Sequence, residues 1–334
     1  MSILIYPQNN TIIDTHTSIQ NGFIEKISKN GITDALEWLF PIKNGNELTH
    51  PESIRFEWLI ENDENSCIFE ISENACFSPA FSAETHNNFF VMTNFKIGQK
   101  YYWRINGCSP FTFTTKDNRF RFIEAEGALN IRDLGGINIK QGLLFRGSEI
   151  NKEYKITSSG KSVLKNDLGI KTEVSLRKEF ELPDGISCID DGILYKFLPY
   201  RPYNEVFEEE HRKELVHIME FLANEDNYPI YFHCLGGADR TGMIALYLRA
   251  LLGESEEDIL TDYELTSLSS YAYGLAEGVS ALGFRSRLSD YFQEFFNRFN
   301  TYEGEDLCEK TESFLIDCGV KTETIEKLKQ ILKK

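Results

Sequence analysis

Two patterns of hydrophobic and polar positions divide the chain. Within residues 53–60, the apolar side chains Ile54, Phe56, Trp58 and Ile60 fall at every second position. A period of two marks a strand with one buried face. Residues 67–71, 88–92, 101–105 and 111–115 are further short strands separated by turn-forming residues. Together they predict an all-β sandwich over residues 1–116. Residues 18–40 break the alternation with a helical period and are expected as an insertion in, or an early extension of, that sandwich. The polar run 116–119 follows the last strand and places a domain boundary there.

From residue 120 to 334 the pattern becomes strands alternating with helices. Residues 157–160 supply a cap for a helix that runs to Leu168. Residues 171–176 and 194–198 read as strands, and 209–223 as a helix. Residues 228–232 form a short buried strand, and 241–252 are so nearly all apolar that they predict a buried helix. This order predicts an α/β domain with a mostly parallel central sheet flanked by helices. A length of 334 residues fits two domains.

Composition narrows the chemistry. A hydrophobic fraction of 41% and a charged fraction of 26% describe an ordinary globular protein. No apolar run approaches the roughly 20 residues that span a bilayer, and the start lacks the basic region of a signal peptide. A formal net charge of −17 argues against nucleic acid and anionic membranes as partners. It leaves room for a local basic pocket that captures a phosphorylated protein or small phosphomonoester. The seven cysteines Cys67, Cys76, Cys108, Cys188, Cys234, Cys308 and Cys318 are scattered and form no CxxC pair. Neither a disulfide framework nor a zinc site is expected, and a reducing, cytoplasmic compartment is. Six of the seven read as small buried hydrophobes.

Cys234 is the exception. It opens His233-Cys234-Leu235-Gly236-Gly237-Ala238-Asp239-Arg240-Thr241-Gly242, between a buried strand and a buried helix. A loop in that position wraps the helix N-terminus with its backbone N–H groups turned inward, and such a nest binds a tetrahedral oxyanion. Leu235, Gly236, Gly237, Ala238, Asp239 and Arg240 are the expected phosphate-binding positions. The glycines allow the close approach of backbone that the nest needs. The same field favours the thiolate form of Cys234. Arg240 offers a planar fork matched to two phosphoryl oxygens, and the Thr241 hydroxyl is placed to donate to the sulfur. These parts supply a nucleophile, a clamp and a stabiliser for the leaving thiolate, with no metal or cofactor.

The segment HCLGGADRTG resembles the HCxxGKDRTG signature of the bacterial tyrosine-phosphatase family with dual-specificity, lipase-A-like members. Asn130-Ile131-Arg132-Asp133-Leu134-Gly135-Gly136 is similar to that family's N-x-R-D-L-G-G, and Leu144-Phe145-Arg146-Gly147-Ser148 to its L-[FY]-R-S. Residues 168–172, with Leu176-Arg177, resemble its LGI-T and DLR segment, and residues 262–267 its DYLLTN. The resemblance covers about 122 to 333. It implies that Cys234 forms a thiophosphoryl intermediate, that Arg240 holds the phosphoryl group, and that Asp239 acts as general acid and then base. The alternative for Asp239 is an ion pair that orients Arg240. Two positions depart from the pattern: Ala238 stands where the family often has lysine, and Ser175 where it has aspartate. The Trp58 strand, residues 98–105 and the closing FTFTT resemble a fibronectin type III domain over about 46 to 116.

Supporting residues are read in two ways. His233 is expected to orient the loop by hydrogen bonding. Arg132 and Asp133 either flank the pocket or form an internal pair in a turn held by Gly135 and Gly136. Arg146 and Arg177 follow strands, where α/β sites are assembled, and are equally readable as solvated loop charges. Arg201 is a candidate guide for an anionic substrate. Tyr271, Tyr273, Phe284 and Arg285 are candidates for a pocket wall. Residues 208–210 and 254–258 read as helix N-terminal charge and solvated surface. The leading function is a protein-tyrosine or dual-specificity phosphatase. The competing readings are an inositol-phosphate or phosphoinositide phosphatase, and a phosphate-binding pseudophosphatase adaptor. The N-terminal domain is a possible protein-binding module or a packing partner.

Overall fold

A computed structural model describes residues 2–60, 66–178, 185–272 and 286–334. The chain falls into two compact units, Met1–Thr17 with Pro51–Arg121, and Ser18–His50 with Phe122–Lys334.

The first unit is built from eight strands. β1 (Ser2–Tyr6), β3 (Ile54–Ile60) and β6 (Phe89–Met92) form one antiparallel sheet in the order β1-β3-β6. β2 (Thr11–Ile13), β4 (Cys67–Ser72), β5 (Phe81–Thr85), β7 (Lys100–Ile105) and β8 (Phe111–Thr115) form the other, in the order β2-β8-β7-β4-β5. In β3 the predicted alternation holds: Ile54, Phe56 and Trp58 are buried, while Arg55 and Leu59 are exposed. Phe56 and Trp58 share one apolar core with Phe69, Trp103 and Phe113 from the second sheet. The rings of Phe56 and Phe69 lie 5.0 Å apart, and those of Phe56 and Trp103 meet edge-on at 5.2 Å.

The second unit holds a six-stranded sheet in the order β13-β12-β14-β11-β10-β9. Its strands are β9 (Arg121–Phe122), β10 (Arg132–Asp133), β11 (Leu144–Gly147), β12 (Thr172–Ser175), β13 (Leu194–Phe197) and β14 (Ile230–His233). β13, β12, β14 and β11 run parallel, and β10 is antiparallel to β11. The helices are α1 (Ser18–Asn30), α2 (Ile32–Lys43), α3 (Ser158–Ser162), α4 (Glu209–Leu222), α5 (Asp239–Leu251), α6 (Glu256–Glu264), α7 (Asp290–Phe299), α8 (Leu307–Asp317) and α9 (Thr322–Leu332). Thr157 caps α3 by accepting from the Gly160 N–H, as its sequence predicts, and Val163–Asp167 continue as a π-helical turn. In α5 every residue from Thr241 to Leu251 is buried, which explains its lack of an amphipathic period. No helix among the described residues is long and apolar enough to cross a membrane.

One sequence expectation changes here. The helical segment expected inside the sandwich groups with the second unit. Its apolar residues Phe23, Ile27, Leu36 and Leu39 are buried, and Lys43 donates to the carbonyls of Ser267 and Ser269. The Leu48 N–H donates to the Leu268 carbonyl at 3.0 Å. A helical period says that one face is buried, but not against what.

Candidate active site

β14 ends at His233 and α5 begins at Asp239, so Cys234 to Ala238 make the turn between a buried strand and a buried helix. Every carbonyl of this turn has a hydrogen-bond partner. The Cys234 carbonyl lies 3.0 Å from His233 Nδ1, and the Leu235 carbonyl accepts from the Glu149 N–H at 2.9 Å. Asn130 Nδ2 donates to the carbonyls of Gly236 at 3.0 Å and Gly237 at 3.2 Å. Arg146 adds a second donor to Gly237 at 2.8 Å, and the Ala238 carbonyl accepts from the Gly242 N–H at 2.7 Å. Among the described residues, the backbone N–H groups of Leu235, Gly236, Gly237 and Ala238 donate to no protein group. Carbonyls taken and amides free are what an anion nest at a helix N-terminus requires. Gly237 has φ +66°, and a Cβ there would stand 2.4 Å from the Gly147 carbonyl oxygen. Cys234 is 2% exposed at the base of the turn, and Arg240 is half-buried in the first turn of α5.

A buried ionic cluster braces the turn from behind. Asp262 accepts from Arg132 Nε at 2.9 Å and from Arg146 at 2.6 Å, and Arg249 lies 3.4 Å away. Arg249 also pairs with Glu254 at 2.5 Å. All five side chains are nearly or fully excluded from solvent. Burial would raise the Asp262 carboxyl, but Arg132, Arg249 and Arg146 hold it far below the usual carboxylate range. Burial, with help from Arg132, brings the Arg146 guanidinium down to about 9, against the pull of Asp262. Arg132 further grips the Asn130 side chain at 2.5 Å, so the cluster orients both donors that hold Gly237.

Two aromatic groups flank the turn. Tyr203 donates its hydroxyl to Asp239 Oδ1 at 2.5 Å and lies 2.6 Å from the Tyr263 hydroxyl. Tyr203 has φ 59°, a conformation rare for a bulky residue, and it places the ring beside α5. Burial, then the neighbouring Tyr263 and Asp239, raise the Tyr203 hydroxyl well above its ordinary range. On the other flank the Tyr271 ring lies against Gly236, where a Cβ would fall 1.8 Å from a ring carbon. The Tyr154 ring meets Tyr271 edge-on at 5.9 Å. Tyr154 is held by Glu149, whose carboxylate accepts from the N–H groups of Asn151, Lys152, Glu153 and Tyr154.

The fold brings His233, Cys234, Asp239, Arg240, Thr241, Arg132 and Arg146 to one place, and Tyr271 with them. Several expectations are corrected. Arg132 pairs with Asp262 rather than Asp133, whose carboxylate instead accepts from the N–H groups of Gly135 and Gly142 and holds the turn. Arg146 and Arg177 are fully buried rather than solvated, and Arg177 lies 3.4 Å from Glu149 and donates to Ser175 Oγ at 3.0 Å. Glu254 is buried against Arg249, so residues 254–258 are not all solvated surface. The Thr241 hydroxyl is buried and makes no hydrogen bond, the expected one to the Cys234 sulfur included. Cys76 is exposed, and Cys108, Cys188 and Cys308 are only partly buried, unlike the six buried hydrophobes expected. His233 Nε2 lies 3.0 Å from Glu173, in line with an orienting role. Arg201 pairs at the surface with Glu205 and Glu214. Tyr273, Phe284 and Arg285 lie outside the described residues. Sequence reasoning missed Asn130, Asp262, Tyr203, Tyr263 and Glu173. Asn130 and Asp262 sit within the quoted NIRDLGG and DYELTS segments, which was the available signal.

Residues 123–334 match the model of the tyrosine phosphatase family. Among solved structures, the chain is similar to the core catalytic domain of the PP-IP phosphatase SIW14 from S. cerevisiae in complex with citrate. That match has 20% identity and a TM-score of 0.31, covering 49% of this chain and 91% of that one. A second structure, of the Siw14 catalytic core, matches at 20% identity and a TM-score of 0.31, covering 49% of this chain and 92% of that one. No curated protein matches.

Proposed function

The chain belongs to the tyrosine phosphatase family, and from that premise we propose that it hydrolyses phosphomonoesters through a phosphocysteine intermediate, with phosphotyrosine in proteins as the leading substrate. The turn from Cys234 to Ala238 carries this reading, with its carbonyls engaged and four amides free at the start of a buried helix. In the first step Cys234 Sγ attacks phosphorus, the P–O ester bond breaks, and Asp239 gives its proton to the leaving oxygen. In the second step water attacks phosphorus, Asp239 takes a proton from that water, and the S–P bond breaks to release phosphate. Arg240 clamps two phosphoryl oxygens throughout, and the free amides hold the charge that builds on the others. The unpaired Thr241 hydroxyl is available to donate to the leaving thiolate.

The Tyr154–Tyr271 pair beside Gly236 supports a flat aryl phosphate. Ala238, in place of a lysine, removes one cation that would face a second phosphate. Both features favour phosphotyrosine over an inositol polyphosphate. We read the first unit as fibronectin type III-like, on its two sheets with one shared aromatic core. A reducing, cytoplasmic location rests on the scattered cysteines.

Phosphate release from phosphotyrosine, phosphoserine, phosphoinositide and inositol-polyphosphate substrates tests the proposal. Phosphotyrosine is expected to be fastest, and Cys234→Ser to lose at least ~10⁴-fold in kcat while still binding phosphate. A tenfold preference for the inositol polyphosphate would replace the substrate class, and turnover by Cys234→Ser would sink the mechanism. Phosphopeptide capture without turnover by the native chain would favour the adaptor.

A further inference from the structure

We propose that Glu47, supported by Lys43, is a positioning residue that seats Tyr271 and Asn130 against the phosphate-binding turn, so that the segment Ser18–His50 completes a site whose other parts lie within the matched residues 123–334. This rests on the reading of that turn as the phosphate site. The two carboxylate oxygens of Glu47 divide between two tasks. Oε2 accepts from the Ser269 hydroxyl at 2.8 Å, the Ser270 N–H at 2.7 Å and the Ser270 hydroxyl at 2.9 Å. Ser269 Oγ in turn accepts from the Tyr271 N–H at 3.3 Å, so this oxygen holds the short turn that carries the Tyr271 ring onto Gly236. Oε1 accepts from the Asn130 N–H at 3.3 Å, and Asn130 holds the carbonyls of Gly236 and Gly237. One carboxylate thus reaches both the segment that carries Tyr271 and the Asn130 brace of the turn.

Lys43 supplies the countercharge. It is fully buried, and its ammonium donates to the carbonyls of Ser267 and Ser269, on the same short segment. Burial lowers it to about 8, against the pull of Glu47. A buried lysine and a largely satisfied carboxylate are costly to place in a fold, and an apolar contact would serve stability alone as well. Their donors and acceptors converge on residues 267–271 and on Asn130, and of these Tyr271 and Asn130 touch the turn. A carboxylate that accepts from these four donors and from the Thr49 hydroxyl also fixes direction, which an apolar contact does not.

The test uses the full chain with the variants Glu47→Ala, Glu47→Gln, Tyr271→Leu and the double variant Glu47→Ala/Tyr271→Leu. Tungstate binding is measured by calorimetry, and kcat and KM on p-nitrophenyl phosphate, at temperatures where each variant is folded. Glu47→Ala is expected to weaken tungstate about tenfold, and Glu47→Gln, which keeps one acceptor for the Ser269–Ser270 turn, about threefold. The double variant is expected to lose little more than the worse single one, because the two residues act in series. Additive losses, or tungstate affinity unchanged in Glu47→Ala, would overturn the inference. Should Glu47→Ala not fold, the cycle is run with Glu47→Gln, and the same two outcomes decide. A native chain that binds tungstate but turns over no aryl phosphate would count against the proposed reaction and leave the binding test intact.

Discussion

The core of the first unit and the cluster that supports the Cys234 turn in the second are made from different materials. In the first unit, Phe56, Phe69, Trp103 and Phe113 pack ring on ring, and the organising force is non-directional burial of apolar surface. Beside the Cys234 turn of the second unit, three arginines converge on the single carboxylate of Asp262. Burying ions is expensive, and well-packed apolar groups would often be as stable or more so. What the ions add is orientation: Arg132 and Arg146 point one donor at Asp262 and another at Asn130 or the Gly237 carbonyl. An aromatic core sets a shape to within a side-chain rotamer, whereas a fork of guanidiniums sets where a carbonyl points.

The sharpest way to break this contrast is Asp262→Asn. It leaves three buried guanidiniums without the carboxylate they share, and it should cost about 3–5 kcal/mol of stability in urea unfolding. Phosphate affinity should fall with it, and a folded variant with native affinity would refute the bracing role. A pH series probes the same carboxylate without mutation. Because Asp262 titrates lower in the folded state than in the unfolded one, its contribution is present above about pH 4 and lost as the pH falls further. The native chain should therefore lose about 2 kcal/mol more than Asp262→Asn between pH 5 and pH 2. Equal losses would mean that the carboxylate is not selectively stabilised.

The opposite arm of the comparison is milder. Phe69→Leu in the first unit should cost about 1–2 kcal/mol, with unchanged turnover per folded molecule, because a smaller apolar side chain partly fills the space. The smallest effect is expected at the flank of the turn. Tyr203→Phe removes the hydrogen bond to Asp239 and should lower kcat about tenfold or less for alkyl phosphates, and hardly at all for aryl phosphates with good leaving groups. Equal slowing of both classes would assign Tyr203 to packing rather than to Asp239.

Much of this was legible in the chain itself. The alternation at Ile54, Phe56 and Trp58 predicted a half-buried strand, and the unbroken apolar run after Thr241 a buried helix, because both follow from local side-chain geometry. The stretch from Cys234 to Arg240, with two glycines between, marked a strand-to-helix turn for the same reason, because such a turn forms within a few residues. Partners of the buried ions were not legible. Arg146 meets Asp262 across 116 residues, Arg132 meets it across 130, and Glu47 reaches Ser270 across 223.

The sequence alone therefore determined the strand that carries Ile54, Phe56 and Trp58, the buried helix after Thr241, and the Cys234 turn that leads into that helix. The tertiary structure alone decided that Arg146 faces inward, that Tyr203 meets Asp239, and that the helical segment Ser18–His50 joins the second unit. The reason is one of range. Backbone dihedrals and hydrophobic period are set by near neighbours, whereas the partner of a buried charge is set by which distant elements the sheet and its helices bring together.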